Sequence, residues 1–375
     1  MKYLLAGYYG MANLGDDILL YVTLLEVSKV DPDARFTIIS QRPLTLPPSI
    51  TVSVKPPARL RTVRELLKHD FWLFGGGGII QDYNVGSLES LRKMYRLARI
   101  AKFLGKKIAM IGIGLGPLNT EEGQLTARRL LNLVDFLTVR DHDSAELASQ
   151  LKLTPRLRVT GDLALLLDLA ELSERTSPPK EIKTLGLSVL PLYADHNNNK
   201  LNYRIVEDFS WVIDKFLDES PHWSVKLFEF HGGSTLYSDA MVLSRLQSYS
   251  KHSTRVSYCR YDHDTFRILS EIKQCDAFVG MRLHSSILAY LFRIPFLMVS
   301  YHPKCLAFAK MIGYPMDRIL YIHDLHNREH LYQSISRLAN ESQFFQPTVP
   351  VETAVKQARE NFSLFQTWLS QVRSG

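Results

Sequence analysis

Arg282 and His284 follow a short apolar run at 277–279 across the turn Gly280-Met281, and Lys304 follows the next such run at 296–299. Arginine grips a carboxylate or phosphate through two parallel hydrogen bonds, and histidine exchanges protons near neutral pH. A guanidinium, an imidazole and an ammonium set out in this way suit an anionic substrate and a proton transfer. Arg140 stands in the same relation to the run 136–139. A second set of candidates is rich in glycine and acid. The loop G-Y-Y-G-M-A-N-L-G-D-D at 7–17 follows the run 3–6 and carries Gly10, Asn13, Gly15, Asp16 and Asp17. Gly75, Gly76, Gly77 and Gly78 follow the run 71–74 without a break, with Asp82 in the same loop. His231-Gly232-Gly233 follows the run 224–230. Consecutive glycines cost much conformational entropy, so they do more than turn the chain: they bring bare N–H groups close to a ligand. Two carboxylates at a helix start repel phosphate and suit a sugar hydroxyl or base catalysis. Capping of that helix by Asn13 or Asp16 is the competing structural reading. The loop lacks the tight spacing of a dinucleotide fingerprint, and no Walker lysine follows it.

These residues need elements that hold them on one side of a sheet. Short apolar runs alternate with helical stretches throughout, among them 18–27, 59–69, 88–104, 203–217 and 282–292. The alternation predicts parallel β/α units, whose ligands bind at the carboxyl ends of the strands. Pro295 ends the helix 282–292 and opens the next strand. The polar stretch 173–183, with paired prolines, predicts a linker between a first domain at 1–172 and a second at 184–340. Within 351–375, Val355, Ala358, Phe362, Phe365 and Trp368 recur at helical spacing and predict a last helix that packs on the body. The proline-rich stretch 42–57 reads as irregular. The polar loop 193–202 reads as a lid or as a solvent-facing insert.

The totals are those of a two-domain soluble enzyme: 375 residues, 46% hydrophobic and 22% charged. A net charge of +7 is ordinary for a soluble protein and also fits an anionic substrate or membrane surface. Nucleic-acid binding is not expected, because basic blocks with interleaved aromatics and finger spacings are missing. Cys259, Cys275 and Cys305 form no close pair and read as thiols in a reducing compartment. No apolar run is long enough to span a bilayer, and the apolar start passes at once into glycines and acids. The expected location is the cytoplasm, with contact at the inner face of the plasma membrane.

Taken in order, these motifs resemble the polysaccharide pyruvyl transferase family, in particular its bacterial branch concerned with the cell wall and surface layer. The opening loop at 7–17, the polyglycine segment at 74–82, the Arg140-Asp141 pair and the stretch from Arg282 to Lys304 each look like a family segment. Asp17 stands where glutamate is common, and Ser285-Ser286-Ile287 replaces a small apolar pattern. The resemblance implies an α/β fold of two Rossmann-like domains facing across a cleft, like the GT-B glycosyltransferases. It implies transfer of pyruvate from phosphoenolpyruvate to a sugar of a cell-wall or exopolysaccharide precursor as a cyclic ketal, with a lipid-linked acceptor containing N-acetylmannosamine favoured over the exopolysaccharide and galactose-type acceptors that also occur in the family.

Roles follow as expectations. Arg140, Arg282 and Lys304 hold phosphoenolpyruvate in the cleft, and His284 is the general acid. Asp16 and Asp17 orient or deprotonate acceptor hydroxyls. Gly10, Asn13, Gly15, Gly75, Gly76, Gly77, Gly78, Asp82 and His231 line the acceptor side. No metal and no further cofactor is expected. A nucleotide-sugar glycosyltransferase on the same architecture and a non-catalytic subunit of cell-wall assembly are the alternatives.

Overall fold

The computed structural model describes residues 1–58, 60–83, 86–153, 157–168, 172, 181–191, 199–233 and 238–374. The expected linker at 173–183 and the expected lid at 193–202 fall mainly outside these residues. The chain forms two units. The first comprises Met1–Met11, Asp16–Leu167 and Glu352–Gly375; the second comprises Ala12–Gly15 and Asp168–Val351.

In unit one, β1 (Lys2–Ala6), β2 (Arg35–Ile39), β3 (Val52–Lys55), β4 (Phe71–Gly75), β5 (Lys107–Ile113), β6 (Phe136–Val139) and β7 (Arg158–Val159) form one sheet in the order β3-β2-β1-β4-β5-β6-β7. Every pair is parallel. The connections run through α1 (Leu14–Val30), α2 (Arg61–Lys68), α3 (Ser87–Phe103), α4 (Glu121–Leu131) and α5 (His142–Gln150). Helices on both faces bury the central strands twice over. The sequence of β4, FWLFG, is therefore apolar throughout instead of alternating, and all of it is buried. The strand order reverses between β1 and β4. That switch point gathers the loop at 7–17 and the polyglycine segment at one edge.

Unit two repeats the plan. Strands β8 (Lys183–Ser188), β9 (Trp223–Phe228), β10 (Val256–Cys259), β11 (Ala277–Gly280), β12 (Phe296–Ser300) and β13 (Leu320–Tyr321) lie in the order β10-β9-β8-β11-β12-β13. All of its pairs are parallel as well. Its helices are α6 (Asn199–Glu219), α7 (Ala240–Tyr249), α8 (Thr265–Lys273), α9 (Leu283–Leu291), α10 (Pro303–Met311) and α11 (Arg328–Asn340). The reversal falls between β8 and β11, so the turn into α9 stands at this unit's switch point. Two Rossmann units in one chain make the fold GT-B-like.

The last helix, α12 (Val351–Ser374), belongs to unit one. Phe365 and Trp368 lie against Phe136, with ring centroids 5.4 and 5.3 Å away, and Trp368 also meets Phe71. Between these apolar contacts sits Asn361, which is fully buried. Its side-chain oxygen accepts from the hydroxyls of Thr138 and Thr160, at 2.5 and 2.7 Å. Its amide nitrogen donates to the carbonyls of Gly161 and Ala358. Every polar atom of the side chain is engaged, as burial demands.

Three features depart from the sequence reading. The stretch 42–57 contains β3, an edge strand whose flanking prolines hide it. Helix α1 runs from Leu14, ahead of the expected start at 18, because its buried, apolar body shows no helical period. Residues Ala12–Gly15 go with unit two: the Leu14 N–H donates to the Phe230 carbonyl at 2.8 Å and the Gly232 N–H to the Ala12 carbonyl at 2.7 Å.

Candidate active site

At the switch point of unit one, Asp17 is buried and its Oδ1 accepts from the Gly10 N–H at 2.8 Å. That bond closes the loop on itself. Tyr9 extends the closure, donating to the Gly75 carbonyl at 3.0 Å and accepting from the Gly75 N–H at 3.1 Å. The polyglycine segment divides into two pairs. Gly75 and Gly76 serve packing on α1: a Cβ on Gly75 would stand 1.9 Å from the Thr23 hydroxyl, and one on Gly76 2.9 Å from Leu19. Gly77 takes φ +86°, which only glycine adopts without strain, and its Cβ position lies 3.5 Å from Asp16 Oδ1. The Cβ position of Gly78 lies 3.9 Å from Arg140 Nη2. Asp16, the second glycine pair and Arg140 therefore share one corner.

Arg140 is nearly buried there, and its guanidinium lies against Gly114. Its Nη1 donates to Asp162 at 3.0 Å and its Nε to Asp141 at 3.3 Å. Burial works against the charge, but the Asp162 and Asp141 carboxylates outweigh it and raise the guanidinium's pKa. Asp82 does different work. It accepts from the Asn119 N–H at 2.6 Å, the Thr120 N–H at 2.8 Å and the Thr120 hydroxyl at 2.5 Å, which ties down the turn before α4. Partial burial raises the Asp82 pKa, but these donors, the Thr120 hydroxyl first, bring it below the ordinary carboxylate value.

In unit two the centre is Asp239, at the start of α7 and wholly buried. Its Oδ2 accepts the N–H groups of Phe230 and His231, both at 3.0 Å. Its Oδ1 takes the Arg282 guanidinium, with Nη2 at 2.5 Å and Nε at 3.2 Å. Arg282 stands at the N-cap position of α9 without a side-chain capping bond, and its side chain keeps 18% of its surface exposed. His284 follows in the first turn of α9. A Cβ on Gly15 would stand 1.9 Å from its Nδ1, so the imidazole lies directly on that glycine. Asn13 bridges to His231. Unit two thus brings together Asn13, Gly15, His231, Arg282 and His284, although Asn13 and Gly15 belong by sequence to the opening loop. Lys304 stands after β12, in the first turn of α10, with its Nζ 5.2 Å from the centre of the Tyr301 ring.

Beside this cluster, Glu229 is buried and accepts a hydrogen bond from the Tyr258 hydroxyl. Burial pushes its carboxyl up, and the nearby Asp239 charge adds to that. Nothing in the sequence analysis above singles out Glu229, Tyr258, Asp239 or Tyr9 for a role in the site. Tyr9 lies inside the loop already singled out, so its place was open to view. Asp239 gives no local signal beyond a helix start; its partner is distant in sequence, and only the order of strands brings the two together. Among the described residues, no group of three or more His, Cys, Asp or Glu side chains is placed to hold a metal ion.

Two Rossmann units with cationic and glycine-rich switch points define a GT-B-like class of enzymes. The chain belongs to the polysaccharide pyruvyl transferase family, whose model matches residues 13–303. No curated protein matches it in sequence. Among solved structures it is similar to the UDP-GlcNAc 2-epimerase of Methanocaldococcus jannaschii, with a TM-score of 0.61, 11% identity, and coverage of 98% of this chain and 100% of that one. The S. aureus MnaA–UDP co-structure gives a TM-score of 0.59 at 12% identity, over 96% and 92% of the two chains. The Neisseria meningitidis UDP-GlcNAc 2-epimerase bound to UDP-GlcNAc gives 0.57 at 13%, over 97% and 100%. At such identities the likeness is one of fold.

Proposed function

We propose that the chain transfers pyruvate from phosphoenolpyruvate to two hydroxyls of one sugar, forming a cyclic ketal and releasing phosphate. The observation that carries this reading is the turn into α9, where Arg282 and His284 stand together at a helix N-terminus in a chain of this family. Helix N-termini favour anions, and a guanidinium beside one suits a phosphate or carboxylate.

His284 delivers a proton to the methylene carbon of the donor, and the neighbouring carbon gains positive character. An acceptor hydroxyl adds there and gives up its proton. Phosphate takes that proton and leaves with the electron pair of its C–O bond, and a second hydroxyl closes the ring as its own proton restores His284. Donor plus diol becomes ketal plus phosphate, with no oxidant or reductant. Arg282 and Lys304 hold the anionic donor. Asp239 keeps the Arg282 fork aimed, at the cost of offsetting part of its charge. Arg140 is offset by Asp162 and Asp141, so it contributes directed N–H donors more than net charge. Asp16, with Gly77 and Gly78, meets the acceptor's hydroxyls. The acceptor we favour is a lipid-linked cell-wall precursor that contains N-acetylmannosamine.

A second reading, a nucleotide-sugar enzyme, draws support from the UDP and UDP-GlcNAc complexes of the structural relatives and from the carboxylates beside both arginines. One assay separates the two. The chain is incubated with phosphoenolpyruvate and a lipid-linked N-acetylmannosamine disaccharide, and in parallel with UDP-sugars and the same acceptor. Phosphate release with a pyruvyl ketal on the sugar is the expected result. Turnover of a UDP-sugar, with phosphoenolpyruvate untouched, selects the second reading.

A further inference from the structure

We infer that unit one carries a docking face for an anionic phospholipid bilayer, built on α3 and the adjoining end of α2. Residues 87–107 contain seven lysines and arginines and a single acid, Glu89, in a chain whose net charge is only +7. The stretch from α3 to the first residue of β5 thus carries six positive charges net in sequence, part of which Glu122 and Asp135 offset in the fold. The sequence spreads these cations between apolar residues, so they make no block. The helix gathers them on its outer side, where Lys93, Arg96 and Arg99 are exposed. Arg92, Arg96 and Lys102 are met by Glu122, Glu89 and Asp135. Arg99 instead lies over the Tyr95 ring, 6.0 Å from its centre, and Lys106 reaches the Leu67 carbonyl at 3.4 Å.

That last bond joins the carboxyl ends of α3 and α2, and each end presents an apolar side chain to solvent. Phe103 is 88% exposed and Leu67 57%, with Ile100 one turn before Phe103 also exposed. Large apolar side chains left outside at the rim of a basic helix call for a surface that takes both. An anionic bilayer does so: its headgroups form a continuous negative plane, and its acyl boundary accepts Phe and Leu a few ångströms below that plane. Clusters of lysine and arginine on an amphipathic helix are the sequence-readable form of this recognition. The long stems of Lys93 and Lys106 let their charges stay at headgroup level while the rings go deeper.

Sedimentation of the full chain with lipid vesicles tests the face. Vesicles of equal parts phosphatidylglycerol and phosphatidylcholine are expected to carry the protein down at low salt and release it at high salt. Vesicles of phosphatidylcholine alone are expected to leave it in solution. Lys93→Glu with Arg99→Glu should lower partitioning by roughly tenfold or more, on the basis of about fivefold for each cation removed. Phe103→Ser should lower it as well. Lys356→Glu with Arg359→Glu, the same charge change on α12, should bind like the parent. The inference is overturned by no binding to the anionic vesicles, or by binding that the Lys93, Arg99 and Phe103 variants leave unchanged. It is equally overturned if light scattering shows a dimer that Phe103→Ser dissolves, or if an RNA oligonucleotide binds the same face more tightly than the vesicles do. None of these readouts depends on the reaction assigned above.

Discussion

A methyl group at position 15 has nowhere to go. It would overlap the His284 ring, and the ring would have to move, because the backbone of Ala12–Gly15 is fixed by its bonds to Phe230 and Gly232. Displacing a catalytic group by about 1 Å costs on the order of a hundredfold in rate. Gly15→Ala is therefore expected to cut turnover by about that factor, with the overlap also costing about 1–3 kcal/mol of stability; full turnover in a variant that still folds would remove His284 from the chemistry. Glu229 makes a separate, pH-dependent prediction. Its folded pKa is raised by burial, so the folded chain holds that proton more tightly than the unfolded chain does. The associated stability is present in acid and is lost as pH rises beyond the ordinary value of 4.5. Glu229→Gln should be more stable than the parent near neutral pH, with the difference shrinking on acidification, as read from melting temperature against pH. The types of Arg282, His284 and Arg140 were legible in the sequence, because each stands at a strand end. The carboxylates that meet the two arginines from a distance, Asp162 and Asp239, were not, whereas Asp141 stands next to Arg140 in the chain. Asp239 pairs with Arg282 across 43 positions, and a pairing of that range is fixed by strand order, not by local pattern.

At the scale of the element, α12 holds unit one together with one polar side chain set among aromatics. Asn361→Leu leaves the Thr138 hydroxyl and the Gly161 carbonyl without their Asn361 bonds in a buried site, while the Thr160 hydroxyl keeps the Val139 carbonyl at 3.1 Å. Such losses cost about 1–3 kcal/mol for each group stranded, so unit one should lose on the order of 3 kcal/mol or more. Denaturant unfolding is the measurement, with separate transitions expected for the two units. The helical spacing of Phe362, Phe365 and Trp368 announced this helix, but not which unit it joins. An apolar stripe says that a face is buried without naming what buries it. Helix α1 and strand β3 show the complementary blindness. One is apolar all round and so has no period; the other is a short edge strand between prolines.

At the scale of the molecule, two sheets that share the strand order 3-2-1-4-5-6, the first with a seventh strand added, come from one recurring pattern, an apolar run followed by a helical stretch. That pattern made the fold readable, because parallel β/α units admit very few connections. Where one unit ends and the next begins was less so. Ala12–Gly15, read as part of the first unit, is built into the second by backbone bonds that no side-chain pattern encodes. The return of α12 to unit one also bears on the order in which the protein is made. Unit two lies between the body of unit one and the helix that completes it. A ribosome therefore has to deliver all of unit two before unit one receives Asn361, Phe365 and Trp368. Domains fold as units while the chain emerges. Most of unit one must then wait, with Phe71 and Phe136 uncovered, while its neighbour is already folding. For that interval it is the part of the nascent chain most in need of a chaperone.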